Sequence, residues 1–157
     1  MRRLLVVLAV LLGLGIGATS ATATPPATAT GSFPILTDTF TPVRLQKAGC
    51  VSYYNENATL VYSGDLTGPA TDTDTAIVYC DGSFAGVNGI EVCSACTLDG
   101  RTGDFTAAFH YAGSGVNYSG TLVVLHASGG LTGLHLQGTF QGDAGGNTYS
   151  YSYHFAP

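Results

Sequence analysis

The sequence predicts an all-β protein, an eight-stranded antiparallel β-barrel. Short β-prone runs alternate with glycine pairs and Asx-Gly turns through residues 32–157. Within the runs, apolar and polar residues alternate with a period of two, and no segment keeps a helical period over about eleven residues. About eight tightly turned strands are typical of a barrel or a sandwich, and closure into a barrel removes the exposed edges that aggregate.

The N-terminus has the three parts of a secretory signal peptide. Arg2 and Arg3 precede an apolar run over residues 4–16, and Ala21-Thr22-Ala23 has the form that signal peptidase cleaves. The run is too short to span a membrane. The predicted organisation is a signal peptide at 1–23, a flexible lead-in at 24–31 and a barrel domain at 32–157, with the mature protein secreted or otherwise extracytoplasmic.

The charge of the mature chain limits its partners. Removal of residues 1–23 takes away two of the five basic residues and none of the ten acids, so the net charge changes from −5 to −7. Such a chain repels phosphate backbones, which makes nucleic acid and anionic membranes poor partners. No later run approaches the length of a membrane span.

Eight segments are candidates for the strands. In chain order they are "FPILTDTF", "ATLVYSGDL", "DTAIVYC", "GIEVCSACTL", "GDFTAAFHYAG", "YSGTLVVLHA", "LTGLHLQGTF" and "NTYSYSYHF". In the second segment we expect Gly64 to bend a continuous strand, because the helix that a phosphate-binding loop needs does not follow it.

The alternation also predicts which side chains point inward. In the last segment Tyr149, Tyr151, Tyr153 and Phe155 share one face. Burial of this aromatic face would leave His154 outside, and the same reasoning places His110 and His135 outside. Only His126 is expected to be able to reach a barrel mouth, and a solvated surface position is favoured for it too.

Several motifs together resemble the bacterial domain-of-unknown-function family 3224. They are Tyr62-Ser63-Gly64-Asp65-Leu66-x-Gly68, Phe84-Ala85-Gly86-Val87, residues 98–105, residues 129–140 and the aromatic closing strand 149–155. The resemblance covers essentially the whole mature chain. It implies an allene-oxide-cyclase-like β-barrel and no established activity. The export signal and extra residues near 88–91 depart from the family pattern.

Four cysteines survive signal cleavage, and an even number in an exported protein favours two disulfides. We favour Cys93–Cys96, beside the apparent insertion, with Cys50–Cys80, although two other pairings remain open. A strictly extended strand would place Cys93 and Cys96 on opposite faces and exclude that pair. A redox pair would need a helix N-terminus, and a zinc site would need a second close ligand pair.

Five tyrosines on apolar strand faces are the candidates for a ligand pocket: Tyr62, Tyr111, Tyr149, Tyr151 and Tyr153. Lining a barrel, they would offer apolar walls with hydroxyl tips, which suit a small amphipathic ligand. Ordinary core filling explains them equally well, because an eight-stranded barrel can be packed solid.

No catalytic residue, metal site or cofactor is predicted. Asp72-Thr73-Asp74 is interpreted as a polar loop, because the spacing of an EF-hand is missing. Ser63-Gly64-Asp65 lacks the nucleophile elbow of a hydrolase.

Three functions therefore remain open. The leading hypothesis is a non-enzymatic barrel that binds a small apolar ligand. The alternatives are an isomerase-like or cyclase-like enzyme acting on a lipid-derived small molecule, which rests on fold analogy alone, and a structural, envelope-associated barrel with a filled interior. A cavity with a buried acid or histidine would favour the enzyme, a dry apolar cavity the binder, and a filled interior the structural role.

The first testable prediction concerns export. The mature protein should begin at or near Thr24, because signal peptidase cleaves after small residues that follow an apolar run. Mass spectrometry of the secreted fraction measures this directly. Secreted protein that retains Met1 would contradict the prediction.

Overall fold

The computed structural model describes residues 25–45 and 50–156, and within them it contains nine β-strands and no helix. The predicted signal peptide lies outside the described residues. The strands are β1 (Ala27–Ser32), β2 (Ile35–Leu45), β3 (Val51–Gly64), β4 (Leu66–Tyr79), β5 (Ser83–Leu98), β6 (Arg101–Ser114), β7 (Asn117–Gly129), β8 (Leu134–Asp143) and β9 (Gly146–Phe155).

Eight of these strands close into a barrel-like antiparallel ring. From β3 to β9 each strand pairs with the next along the chain, and β1 pairs with both β9 and β3. The ninth strand, β2, follows β1 and pairs with the remainder of the β3 edge. The prediction of an all-β fold with eight antiparallel strands in a closed arrangement is confirmed.

The membership of the ring differs from the expectation in one respect. Most of the segment 24–31, expected to be a flexible lead-in, forms strand β1, which pairs with β9 from Ala27↔Tyr153 to Ser32↔Thr148. Thr and Ala alternate along this strand, and Ala29 is completely buried. A strand of six small residues gives only a weak sequence signal for β-structure. It is held in place by pairing with the edges of two neighbouring strands.

The stretch "TLVYSGDLTG" is a hairpin and not one continuous strand. The chain reverses between β3 and β4, with Tyr62 opposite Gly68. Gly64 and Gly68 have φ angles of 114° and 132°, which L-residues with side chains rarely adopt. The expected bend at Gly64 is therefore the start of a turn.

Two β-bulges in β5 keep one face of this long strand pointing inward. The pairing of β5 with β6 shifts between Gly86 and Gly89 and again between Cys93 and Cys96. Each bulge adds one residue and contains a residue with positive φ, Asn88 (57°) and Ala95 (52°). Inward positions are therefore three residues apart at each bulge and two apart elsewhere.

The second bulge explains how a local disulfide fits into a strand. Cys93 and Cys96 are bonded, both are completely buried, and their Cα atoms are 5.9 Å apart. The objection to this pair applied to a strictly extended strand, and the bulge removes it by turning both side chains inward. Cys50 and Cys80 form the other bond, with Cα atoms 4.7 Å apart.

One end of the ring is packed with apolar side chains. Leu66, Leu98 and Leu131, at or beside the turns of that end, are at most 1% exposed. The aromatic face of β9 also points inward, since Tyr149 and Tyr151 are 3% and 1% exposed. All four histidines are exposed, so none of them occupies the interior.

Packing of the β9 face leads to a prediction about stability. Tyr151→Ala should lower the free energy of unfolding by about 3 kcal/mol or more, because it leaves a cavity among buried aromatic rings. His154→Ala on the same strand should have a much smaller effect, since its ring is exposed and, among the described residues, stacks on His135 alone. Urea denaturation of both variants measures the difference. Equal, small effects would show that this strand does not form the barrel wall.

Candidate functional site

The opposite end of the ring contains a cavity of about 380 Å³. Val116, in the β6–β7 turn, and Val78 and Phe84, beside the β4–β5 turn, lie on its rim. Phe109, Leu122 and Phe140 form part of its apolar wall. The interior is thus solid at one end and hollow at the other.

Five carboxyl groups from four strands line this cavity, and none of them was predicted from the sequence to form a site. They are Asp38 on β2, Glu56 on β3, Asp72 and Asp74 on β4, and Glu91 on β5. Among the described residues, no lysine, arginine or histidine lines the cavity with them. The interpretation of Asp72-Thr73-Asp74 as a polar loop is wrong, because these residues belong to β4 and both aspartates line the interior cavity.

The innermost acids form a group with two tyrosines. Glu91 is 2% exposed, and the Tyr62 hydroxyl donates to its carboxylate over 2.9 Å. The Tyr151 hydroxyl lies 3.2 Å from that of Tyr62. Burial raises the pKa of Glu91 to about 7, against the opposing effect of the Tyr62 bond. Burial, followed by repulsion from Glu91, raises the pKa of Asp72 to about 9, so Asp72 holds its proton more tightly.

The outer acids form a second group around Tyr111, whose hydroxyl donates to Glu56. Burial raises the pKa of Glu56 to about 7, and the bond from Tyr111 opposes this rise. Burial is also the main reason that the pKa values of Asp74 and of Asp38, which lies nearest to solvent, rise to about 6. The cavity therefore contains acids that change protonation close to neutral pH.

Asp74 is the least satisfied group of the site. It is 8% exposed, and neither of its carboxyl oxygens makes a hydrogen bond with any described residue. Glu56 and Tyr111 lie close enough to lower the pKa of Asp74 against the larger effect of burial, but the Tyr111 hydroxyl donates its hydrogen to Glu56 and leaves both Asp74 oxygens without a hydrogen bond of normal geometry. A Cβ atom at Gly86 would overlap both the Tyr111 ring and the Asp74 carboxyl, so the glycine provides the space in which the two lie.

Three of the five predicted pocket tyrosines line the cavity: Tyr62, Tyr111 and Tyr151. Tyr149 and Tyr153 do not. Tyr149 is buried, and its hydroxyl accepts a 2.8 Å hydrogen bond from the Leu66 amide at the packed end. Tyr153 lies next to Phe155, which also belongs to that end. Alternation identified the inward face correctly, but it carries no information on depth along the barrel.

The same alternation contained the missing signal for the acids. Tyr62 and Leu60 were recognised as one face of a strand, and steps of two lead back through Ala58 to Glu56. On β4, Asp72 and Asp74 lie between Ala70 and Ala76, which are both buried. Glu91 becomes inward-facing through the bulge at Gly86–Gly89. The sequence showed extra residues near 88–91, but not that they change which residues of the strand face inward.

Two further properties of residues 25–45 and 50–156 bear on the kind of site. In that part of the chain, no three His, Cys, Asp or Glu side chains are arranged to hold a metal ion. It also contains no helix of the length and apolarity needed to cross a membrane.

Comparison with known proteins identifies a solved structure with a similar fold. No family model matches the chain, and no curated protein matches it. A crystal structure of a protein with unknown function from the DUF3224 family of Shewanella oneidensis MR-1 matches with a TM-score of 0.70. The match has 23% sequence identity and covers 84% of this chain and 99% of that one. This chain has the fold of a DUF3224 protein.

The resemblance to family 3224 is therefore confirmed at the level of the fold. The Shewanella protein is described as having unknown function. The comparison therefore gives no function for the cavity of this chain.

The raised pKa values predict an unusual dependence of stability on pH. Each shifted cavity acid binds its proton more tightly in the folded protein than in the unfolded chain, so stability should fall as the pH rises from about 4 to 9. For Glu91 alone, the shift from 4.5 to about 7 corresponds to about 3 kcal/mol. The exposed Asp81, whose pKa is lowered by bonds from Ser83, gives the opposite slope only below about pH 4.

Urea denaturation across this pH range measures the effect. Asp72→Asn should remove most of the loss of stability between about pH 7 and 9, because Asp72 has the highest carboxyl pKa of the cavity. The control is Asp99→Asn, which changes an exposed acid in the turn at the packed end. A stability that increases with pH over this range would contradict the buried, protonated state of the acids.

Proposed function

We propose that this protein is an exported barrel that binds a small, largely apolar molecule in the cavity between its strands. The cavity is the observation that carries the proposal. Its volume of about 380 Å³ falls within the usual range of ligand sites, and an apolar wall with a few polar groups is the usual lining of such sites.

The position of the cavity supports a ligand site over a structural role. A structural barrel has no reason to leave one end hollow, since apolar side chains there would add stability. Here the packed end shows that the chain can fill its interior, and the other end stays open and contains costly acids. The two disulfides fit the proposed export, because such bonds persist in oxidising compartments.

A second candidate is an enzyme that moves protons on a small carbonyl compound, as an isomerase or cyclase does. The observation that favours it is the presence of buried acids inside the cavity. Glu56 and Glu91, each with its pKa raised to about 7, have the property that general acid–base catalysis requires near neutral pH. This candidate also needs the ligand site.

Binding can be tested with a neutral probe, 4-phenylbutan-1-ol, by calorimetry and by NMR shifts of the mature, oxidised protein. Ala58→Phe should weaken binding by about tenfold or more, because Ala58 is buried in the cavity wall and the larger ring would occupy the ligand volume. The matched control is Ala112→Phe, since Ala112 is exposed on β6. No binding to the folded wild-type protein, or equal binding by all three proteins, would contradict the proposal.

The enzyme candidate has a separate test. If the acids abstract protons next to a carbonyl group, the protein should accelerate deuterium exchange at the α-positions of 4-phenylbutan-2-one in D₂O, as followed by NMR. Glu91→Gln should then reduce the rate by about 100-fold, the low end of a general-base contribution. Exchange at the rate of buffer alone would count against this chemistry.

A further inference from the structure

We propose that the polar end of the ligand is a protonated amine, held by the carboxyl group of Asp74 at the outer group of acids. This inference rests on the proposed binding function and names the chemical class of the ligand. It depends on three features of the cavity: the imbalance of charge, the unsatisfied oxygens of Asp74 and the aromatic wall beside them.

The imbalance of charge is large for so small a volume. Five carboxyl groups line the cavity, and no lysine, arginine or histidine among the described residues lines it. Among the residues whose side chains are described, Arg101 is the one lysine or arginine. Its guanidinium carbon Cζ lies 3.9 Å from the centroid of the Phe155 ring at the packed end. Buried carboxylates are normally paired with a cation or neutralised. A bound cation would provide that pairing.

Asp74 shows where the cation would be held. Its side chain is more than nine-tenths buried and lines the cavity, yet neither oxygen has a hydrogen-bond partner among the described residues. A carboxylate can accept several hydrogen bonds, and an ammonium group carries three donors and no acceptor. Protonation of Asp74 alone would supply a single donor hydrogen and leave its accepting capacity unused.

The neighbouring groups suit an ammonium group better than a metal ion or a neutral donor. Glu56 lies beside Asp74 and gives a second acceptor within the same group. The ring of Tyr111 stacks on that of Phe109 and meets Phe84 edge to face, and all three rings line the same cavity as the acids. Organic cations are attracted to such faces, and the apolar remainder of the molecule would pack against the wall of the cavity.

The inner acids do not compete for the same role. Glu91 already accepts the Tyr62 hydroxyl, and Asp72 beside it holds its proton tightly. One oxygen of Asp72 also lacks a hydrogen-bond partner among the described residues, but a protonated Asp72 carries no charge for a cation to balance. Asp74 and Glu56, nearer the rim, titrate close to neutral pH, and a bound cation would favour their ionised forms.

The test compares three probes with the same apolar body on the mature, oxidised protein by calorimetry at pH 7.5. They are 4-phenylbutylamine, which is a cation, 4-phenylbutan-1-ol, which is neutral, and 4-phenylbutanoate, which is an anion. The amine should bind about tenfold or more tightly than the alcohol, and the anion should bind most weakly. This comparison needs no variant and is therefore independent of any effect on folding.

Two variants then locate the charge. Asp74→Asn should weaken binding of the amine by about tenfold and change binding of the alcohol by no more than about twofold. Asp99→Asn, which removes the same charge at the far end of the barrel, should change neither. An unchanged affinity of Asp74→Asn for the amine would overturn the assignment to Asp74.

Acidification provides a separate readout. Between pH 7.5 and 5 the amine should lose affinity while the alcohol does not, because protons replace the bound cation on the carboxyl groups. The groups that face the cation are those of Asp38 on β2, Glu56 and Tyr62 on β3, Asp72 and Asp74 on β4, Glu91 on β5, Tyr111 on β6, Tyr118 on β7 and Tyr151 on β9. Tyrosine pKa values in this set are raised, so only the acids titrate in that range.

The possible results separate the two proposals. Equal binding of amine and alcohol would overturn the assignment of an amine and leave the proposed ligand site standing. Tighter binding of the alcohol or of the anion would also overturn it, and would indicate that protonated acids donate to a neutral or anionic acceptor. Failure of all three probes to bind the folded protein would contradict the proposed function itself.

Discussion

The architecture depends on the position of β1 between β9 and β3. Six residues of β1 pair with β9, and Gly31 and Ser32 pair with the end of β3. The Asp65 turn secures this closure, because its amide donates to the Thr30 carbonyl over 3.0 Å and its carboxylate accepts from the Thr30 amide over 2.8 Å. Ser63-Gly64-Asp65 is thus part of the seam of the ring, the place where β1 joins the end of β3. This structural role accounts for the serine, glycine and aspartate without a catalytic one.

Closure of the seam also sets the boundary between the packed and hollow ends. After β1 the chain passes through Phe33 and Pro34 into β2. The Phe33 amide donates to the carbonyl of Asn147 in β9, and the Pro34 carbonyl accepts from the amide of Val61 on β3. Phe33 is buried and contributes to the cavity wall. From this point β2 continues along β3 alone and brings Asp38 to the outer part of the cavity.

The carboxyl groups make the hollow end costly. Removing acids from water disfavours their charged forms, and only some of them recover hydrogen bonds inside the barrel. Tyr62 and Tyr111 each donate to one glutamate, whereas both oxygens of Asp74 and one oxygen of Asp72 have no hydrogen-bond partner in the described part of the chain. Such an arrangement reduces stability where apolar residues of similar size would increase it. Groups of this kind are typical of sites where binding or chemistry outweighs stability.

Period-two alternation determined much of this protein from its sequence. It predicted the antiparallel strands, the inward aromatic face of β9 and the outward histidines, because a strand side chain has only two directions available. Family motifs and the number of cysteines were also readable without a structure. These features are local, or depend on the order of residues along the chain.

The remaining features required the tertiary structure. Strand β1 is ordered by two neighbours that are distant in sequence, and the bulges at Gly86–Gly89 and Cys93–Cys96 change which residues of β5 face inward. Depth along the barrel, which separates Tyr149 from Tyr151, depends on strand tilt and register. The five acids meet only because four strands bring them to one end of the ring. Alternation specifies a face of a strand, whereas a cavity is a property of all the faces together, and its position depends on how the ring closes.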